Sequence, residues 1–446
     1  MGQSDVDGQK VEANKDHVQS AGGRAVRSAR GTQHAALLLG YGNVNQAVAT
    51  CLERERDRLA AFGLQVWPVR ALVRDLAKRR RGPAVSLRTD HDRLIDRDID
   101  VVVEALGGVE PARSLVASAL AAGIPVVSAN KTLVAAHGRE LRRLAAEHAT
   151  TFLCDAAVLA GVPFVGSLER RPLVSAARRI EAILNGTSHF VVSSIAAGAT
   201  FDVALDEAQR RGYAEPDSAA DVSGRDAAEK LTILLHLAGH ERVAVEQLTR
   251  LGIDVLEPAD FAAARRVGGT IKPVALASLE PDASGAWVGP AFVDAAHPFA
   301  RLHGVTNALR LTTATGCCTF SGPGAGPAVT AATIVDDLVE LLNGGPTTPG
   351  ARAIADAASD AAALAEPAAS RWFLRVSEGS GLGAADVAEY LAARRAPAVR
   401  IDDESGRVVC LTSPAAWRTI ADVLAAVRGC GAQAIALPVV EGGDGE

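Results

Sequence analysis

The chain has 446 residues, room for about three domains at roughly 150 residues each. With 48% hydrophobic and 22% charged residues it is not a disordered chain, and with 4% aromatics its cores must be built from Ala, Val, Leu and Ile. A net charge of −6, no apolar run of the roughly 20 residues a membrane span needs, and no apolar N-terminal secretory segment argue against nucleic-acid and membrane partners and for the cytoplasm.

Residues 1–34 are polar, lack apolar periodicity and read as a disordered tail. The apolar run 35–39 has the pattern of a strand buried on both faces, and it leads into a glycine-containing turn and a helix over 46–62. Strands over 65–73, 99–104 and 125–128 alternate with a helix opened by Pro111 and another over 133–148. This alternation predicts an α/β fold with a Rossmann-like doubly wound parallel sheet. Beyond residue 151 a longer strand over 179–184 and helices over 201–210 and 226–237 suggest an α+β domain, a mixed sheet with helices on one face. Residues 343–369 read as a linker. The segments 372–376, 384–394, 398–401, 407–411, 415–427 and 432–440 then follow the β-α-β-β-α-β order of a ferredoxin-like module. Six cysteines without C-x-x-C spacing are expected to be reduced thiols rather than zinc ligands.

Four constellations carry chemistry. In Gly40-x-Gly42-x-x-Asn45 the first glycine suits a tight turn, and the second lets the backbone approach a pyrophosphate at the helix N-terminus. Asn45 stands where a third glycine is usual. At the end of the second strand Arg74 precedes Asp75, and Lys78-Arg79-Arg80-Arg81 lie beyond; an Arg there favours NADP over NAD, the plain alternative being a solvated basic loop. In Ser128-Ala129-Asn130-Lys131, Asn130 suits a helix N-cap, but Lys131 opposes the helix dipole and sits at the carboxyl end of a parallel strand, where α/β folds bind ligands.

The third constellation runs from Gly212 to Lys230. At about 100° per residue Arg225, Glu229, Thr232 and His236 form one polar stripe, whereas Lys230 falls among Ala227, Ile233, Leu234 and Leu237. An ammonium on an apolar arc needs partners, and Asp226 one turn earlier is the candidate, with Glu215 and Asp221 in the adjoining loop. Such a site suits a small substrate bearing an ammonium and a hydroxyl or carbonyl, with Lys230 exchanging a proton with the oxygen. A capping box at Ser223-x-x-Asp226 and an ordinary i,i+4 pair are the structural alternatives. The fourth is Gly322-Pro323-Gly324-Ala325-Gly326, either a cofactor contact or a packing turn. Asn185-Gly186-Thr187-Ser188 is a turn by composition and also a candidate carboxylate-binding loop.

In these motifs, in Asp100 to Gly108, and in their order and spacing, residues 35–342 resemble the homoserine dehydrogenase family. The resemblance implies reversible reduction of L-aspartate 4-semialdehyde to L-homoserine by NADPH or NADH. It implies Lys131 and Lys230 as catalytic lysines, Asp226 orienting Lys230, Glu215 and Asp221 on the amino acid, and Gly186 and Thr187 lining its pocket. Gly40, Gly42, Asn43, Val44, Arg74, Gly107 and Gly324 would meet the coenzyme. The family also binds a monovalent cation, Na+ or K+, and the matching positions are Asp155, Val158, Ala160 and Val162, with Asp155 one methylene shorter than the family's Glu and Leu159 in place of a small residue. The implied domains are a dinucleotide-binding domain over 35–165 completed by 305–342, a substrate-binding and dimerisation domain over 166–304, and a regulatory module over 370–446, assembled as a homodimer or homotetramer. That last module resembles an ACT domain, with Gly381 after its first strand, which implies an amino-acid effector; an interaction module without effector is the alternative. Asn45 and Ser188-His189-Phe190 depart from the family pattern. They motivate a second reading, a relative acting on a different semialdehyde in a specialised pathway; a third is a non-catalytic paralogue that senses an amino acid through the ACT-like module, against which the intact lysines and acids argue.

Overall fold

The strand that begins the fold, β1 (Thr32–Leu39), starts three residues before the apolar run because Thr32–His34 already pair with Leu64–Val66. The computed structural model describes residues 32–443 apart from 92–93, 163, 165–176, 345–363, 365, 378–381 and 405–406. Most of the expected tail and linker, and Gly381, lie outside the described residues. β1 pairs in parallel with β2 (Leu64–Leu72) and β4 (Val101–Glu104), and the sheet is completed by β3 (Ser86–Arg88), β5 (Val126–Ser128) and β6 (Phe152–Leu153) in the order β3-β2-β1-β4-β5-β6. The order reverses beside β1, so the crevice outside the carboxyl ends of β1 and β4 is the natural ligand position. The helices of this half are α1 (Asn43–Arg54), α2 (Arg56–Ala61), α3 (Ala112–Ala121) and α4 (Lys131–Glu147). The single helix expected over 46–62 is two, separated at Glu55.

A second sheet of nine strands carries the rest. β7 (Ala177–Ile183), β8 (Gly269–Ser278), β9 (Gly285–Asp294), β10 (Thr306–Thr313) and β11 (Gly316–Pro323) run antiparallel in the order β11-β10-β7-β8-β9. The sheet continues through β15 (Gln433–Val440), β12 (Trp372–Ser377), β14 (Arg407–Thr412) and β13 (Ala398–Glu404). The intervening helices are α5 (Gly186–Ala196), α6 (Phe201–Arg210), α7 (Ala219–Val222), α8 (Arg225–Leu237), α9 (Pro258–Arg266), α10 (Pro327–Leu342), α11 (Ala384–Ala393) and α12 (Trp417–Gly429). The segment 305–342, expected to complete the first domain as a whole, divides: β10 and β11 belong to the second sheet, and α10 returns to bury Ala331, Ile334 and Leu338 against Val48 and Leu52 of α1 and the β1 face.

The C-terminal residues do form β-α-β-β-α-β, with the fourth, first, third and second strands adjacent in that order. They are not a separate bead. β15 pairs in parallel with β9 through Val439–Phe292 and Val440–Val293, Phe373 stacks on Phe292 with centroids 5.6 Å apart, and Arg375 reaches Asp260 of α9 at 2.9 Å. Phe261, Phe292, Phe373, Val409 and Leu437 share one apolar core with Val191 and Ile195 of α5. Among the described residues no helix is long and apolar enough to cross a membrane.

Candidate active site

α8 opens on Gly224, whose φ of +75° favours glycine, and its body is buried between α4 and the second sheet. Of the polar stripe expected on α8, Arg225 stays exposed while Glu229, Thr232 and His236 are buried: Glu229 accepts from Thr132 Oγ1 at 3.2 Å, and His236 Nε2 lies 2.8 Å from Val243 O. Asp226, in the first turn of α8, is the centre of the site. Its Oδ2 lies 2.9 Å from Lys230 Nζ, and its Oδ1 lies 2.7 Å from the Nζ of Lys131 at the start of α4. Lys230 also donates to Leu184 O at 2.8 Å. One carboxylate thus bridges two ammonium groups brought from different helices.

Asn185 ties Asp226 to Asp221 of α7 and to the start of α5. Its Nδ2 donates to Asp226 Oδ2 at 2.9 Å and to Asp221 Oδ1 at 2.6 Å, while its Oδ1 caps α5 by accepting from Ser188 N at 2.7 Å. Burial works to raise the Asp226 pKa, yet the Lys230 and Lys131 charges overturn it and hold the carboxyl well below the usual range. Lys131 shows the converse: burial lowers it, and Asp226 more than reverses this, so its pKa is raised. Burial raises Asp221, with the Asn185 hydrogen bond opposing. The Lys131 side chain is 39% exposed and that of Lys230 10%, so Lys131 is the ammonium nearer solvent. Thr187 Oγ1 donates to Tyr213 O at 2.6 Å, which fastens the start of α5 to the 212–217 loop, whereas Glu215 stays exposed on that loop.

Glu104, fully buried, braces the segment that leads to Lys131, a part not expected of it from the sequence, where its signal is a carboxylate ending an otherwise apolar strand. It accepts from Ser128 Oγ at 2.6 Å, Leu106 N at 2.8 Å and Asn130 Nδ2 at 3.1 Å. Asn130 in turn donates to Gly108 O at 2.7 Å and caps α4 by accepting from Leu133 N at 3.2 Å, one residue before Lys131. Burial raises the Glu104 pKa against those hydrogen bonds. Glu104→Ala takes the acceptor from the Ser128 hydroxyl and from Leu106 N, while Asn130 Nδ2 keeps Gly108 O, and should destabilise the fold by about 1–3 kcal/mol. A melting temperature equal to wild type would refute this account of the residue.

The glycine turn fits a dinucleotide. Gly40 has φ +87°, and a Cβ there would lie 2.9 Å from Ala105 O, whereas a Cβ on Gly42 or Gly107 would meet no heavy atom within 4 Å. Gly42 is the N-cap of α1, so the free N–H groups of Asn43 and Val44 open that helix towards unfilled space. Asn45, in the third glycine position, is fully buried and donates from Nδ2 to Gly40 O at 2.7 Å and Leu39 O at 3.2 Å, so its side chain braces the turn from within. Arg74 is exposed at the end of β2. The basic loop after it is folded onto the same turn: Arg80 donates to Tyr41 O at 3.2 Å and Asp75 O at 2.9 Å, and Gln46 Oε1 accepts from Arg81 N at 2.6 Å.

The second glycine cluster packs closely. A Cβ on Gly324 would lie 2.1 Å from Asn307 Cγ, and one on Gly161 would lie 2.2 Å from Pro323 O. The latter contact brings the 155–162 segment against the 322–326 turn. There Asp155 opens a short 3-10 turn, Val158 N donates to Asp155 O at 3.3 Å, Val162 N donates to Leu159 O at 2.9 Å, and Ala160 O accepts from Thr333 Oγ1 of α10. Among the described residues no group of three or more His, Cys, Asp or Glu side chains could hold a metal ion.

Comparison with known proteins decides the family. The profile described as the NAD-binding domain of homoserine dehydrogenase matches residues 40–155, and the homoserine dehydrogenase profile matches residues 163–339. Homoserine dehydrogenase of Mycobacterium leprae is 39% identical over 316 residues, covering 68% of this chain and 70% of that protein. The chain belongs to the homoserine dehydrogenase family. The Corynebacterium glutamicum enzyme is 38% identical over 312 residues, with 68% of this chain and 70% of that one covered. The crystal structure of a homoserine dehydrogenase from Thiobacillus denitrificans superposes with a TM-score of 0.79 at 30% identity, covering 92% of this chain and 99% of that one. The family is one of NAD(P)-dependent oxidoreductases, and these matches favour homoserine dehydrogenase over a different semialdehyde or a non-catalytic sensor. The departures from the family pattern have local causes. Asn45 serves the turn backbone, and His189 is buried with Nδ1 2.8 Å from Thr306 O and its pKa lowered by burial to about 4.

Proposed function

We propose that the chain interconverts L-homoserine and L-aspartate 4-semialdehyde with Lys131 and Lys230 as paired proton-transfer residues. The observation that carries this is the buried Asp226 carboxylate holding both ammonium groups within 2.9 Å. When bound, the nicotinamide accepts or supplies the hydride. The two lysines donate hydrogen bonds to the substrate oxygen and stabilise the developing alkoxide, and Lys131, the more exposed, passes the proton to solvent. Asp221 and Glu215 receive the substrate ammonium, and Gly186 and Thr187 at the start of α5 meet its carboxylate.

NADP is the coenzyme we favour over NAD. Gly40, Gly42, Asn43 and Val44 would cradle the pyrophosphate, Gly107 and Gly324 would flank the rest, and Arg74 with its braced basic loop suits the 2′-phosphate. Arg74→Ala should raise KM for NADP+ about tenfold and leave that for NAD+ within about twofold, a charge-assisted contact being worth about 1.4 kcal/mol. Equal effects on the two coenzymes would count against Arg74 as the phosphate contact. A monovalent cation, Na+ or K+, would draw on the Asp155 carboxylate and the carbonyls of Val158, Ala160 and Val162. These are hard oxygen donors of suitable chemistry, although Ala160 O is shared with Thr333. We further infer a cytoplasmic homodimer or homotetramer whose C-terminal module takes an amino-acid effector, a reading supported by its ferredoxin-like strand order.

The test is reduction of NADP+ and of NAD+ by the protein with L-homoserine at alkaline pH, followed spectrophotometrically. Reduction is expected, faster with NADP+. No reduction of either coenzyme overturns the assignment.

A further inference from the structure

Asn307, the second residue of β10, is 1% exposed and pairs across the strands with Gly322 of β11. Two glycines from different loops close on its carboxamide. A Cβ on Gly324 would lie 2.1 Å from Asn307 Cγ and Nδ2, and a Cβ on Gly186 would lie 3.4 Å from Asn307 Oδ1 and 3.0 Å from Val305 O. The start of β10 also holds α5 through Thr306 O, which lies 2.8 Å from His189 Nδ1. The strand entrance is therefore wedged between the substrate loop and the second glycine turn.

Space filling alone does not account for the residue. Asn307 Oδ1 is buried and has no hydrogen-bond partner among the described residues. Leu has nearly the same shape and would fill the position without an unmet acceptor. A buried oxygen left without a donor, at a point where two ligand-binding loops converge, is a group whose donor arrives when those loops settle.

We propose that Asn307 is a positioning residue that makes substrate and coenzyme binding mutually dependent, its carboxamide being the shared surface between the Gly186 loop and the Gly324 turn. Settling of either loop on its ligand shifts the carboxamide against the other loop. By linkage the effect is the same in both directions. The inference rests on the reading of these two loops as substrate and coenzyme loops.

The experiment titrates NADPH by its fluorescence with and without saturating L-homoserine, a pair in which both partners are reduced and no turnover occurs. In the wild type, homoserine is expected to tighten NADPH binding by at least about fivefold, the low end of common couplings. In Asn307→Leu the ratio should fall to about one, and Asn307→Ser gives the same reading if the Leu variant does not fold. Asn307→Asp, which keeps the shape and an acceptor oxygen, should restore most of the ratio. A wild-type ratio in the Leu or Ser variant overturns the proposal. Homoserine oxidation by the wild type separates the two failures. Oxidation without any tightening overturns the coupling alone, and absence of oxidation overturns the reading of both loops and the coupling with it.

Discussion

Replacing Lys230 by Met should lower turnover of L-homoserine by about 10²–10⁴-fold while NADPH affinity stays within about threefold. Methionine fills the apolar arc that Lys230 shares with Ile233, Leu234 and Leu237, so the helix keeps its packing. What is lost is the ammonium 2.9 Å from Asp226 and 2.8 Å from Leu184 O. The coenzyme turn at Gly40–Val44 belongs to the other sheet and should be untouched. Steady-state kinetics with fluorescence titration of NADPH separate the effects, and wild-type turnover in Lys230→Met would remove the residue from the mechanism.

Asp226→Asn should act on both activity and stability. The amide keeps the shape but leaves two ammonium groups facing a neutral group, and breaking a buried ion pair costs about 3–5 kcal/mol. Turnover should fall by at least about 10²-fold, since Lys131 and Lys230 lose the group that holds them together. The pH dependence has a definite sign. Asp226 has a depressed pKa in the folded chain, so its stabilisation is fully present above the unfolded value of about 4 and is lost as pH falls through the folded value. Lys131 has a raised pKa, so its share is fully present below the unfolded value of about 10.4 and is lost as pH rises through the folded value. The difference in melting temperature between wild type and Asp226→Asn should therefore be flat from about pH 5 to 10 and shrink on either side. A difference that grows as pH falls below about 4 would contradict the assigned ion pairs.

The site was largely legible in the sequence because its logic is helical and local. Lys230 on an apolar arc with Asp226 four residues earlier needs no tertiary information, and both prove to be buried partners. Lys131 opposing the helix dipole was equally local, and the structure supplies its reason in the same carboxylate. The bracing part of Glu104 was not legible, because its donors Ser128 and Asn130 lie on another strand and loop. Gly324 suggested a cofactor contact from its motif, whereas the second reason for its want of a Cβ, the carboxamide of Asn307, lies on a different strand and could not be read locally. The alternating strands and helices of the first sheet were readable from apolar runs, whereas the division of 305–342 between two sheets depended on which edge β10 would join. The pairing of β15 with β9 joins Val440 to Val293, a choice of partner that no local pattern encodes.

That pairing has a consequence for how the C-terminal residues can be exchanged. A cut near residue 370 would leave Asp260 without Arg375 and strip Phe373 and Leu437 from the core they share with Phe261 and Phe292. The module is therefore not a transplantable cassette. A graft from another sensor would have to bring its own answer to the α9 surface, and drift on either side of the seam is constrained by the other. Nor would a displacement need a hinge to cross this boundary: Phe373 of β12 shares one core with Val191 and Ile195 of α5 and Phe261 of α9, so a strain at β12 bears directly on both helices.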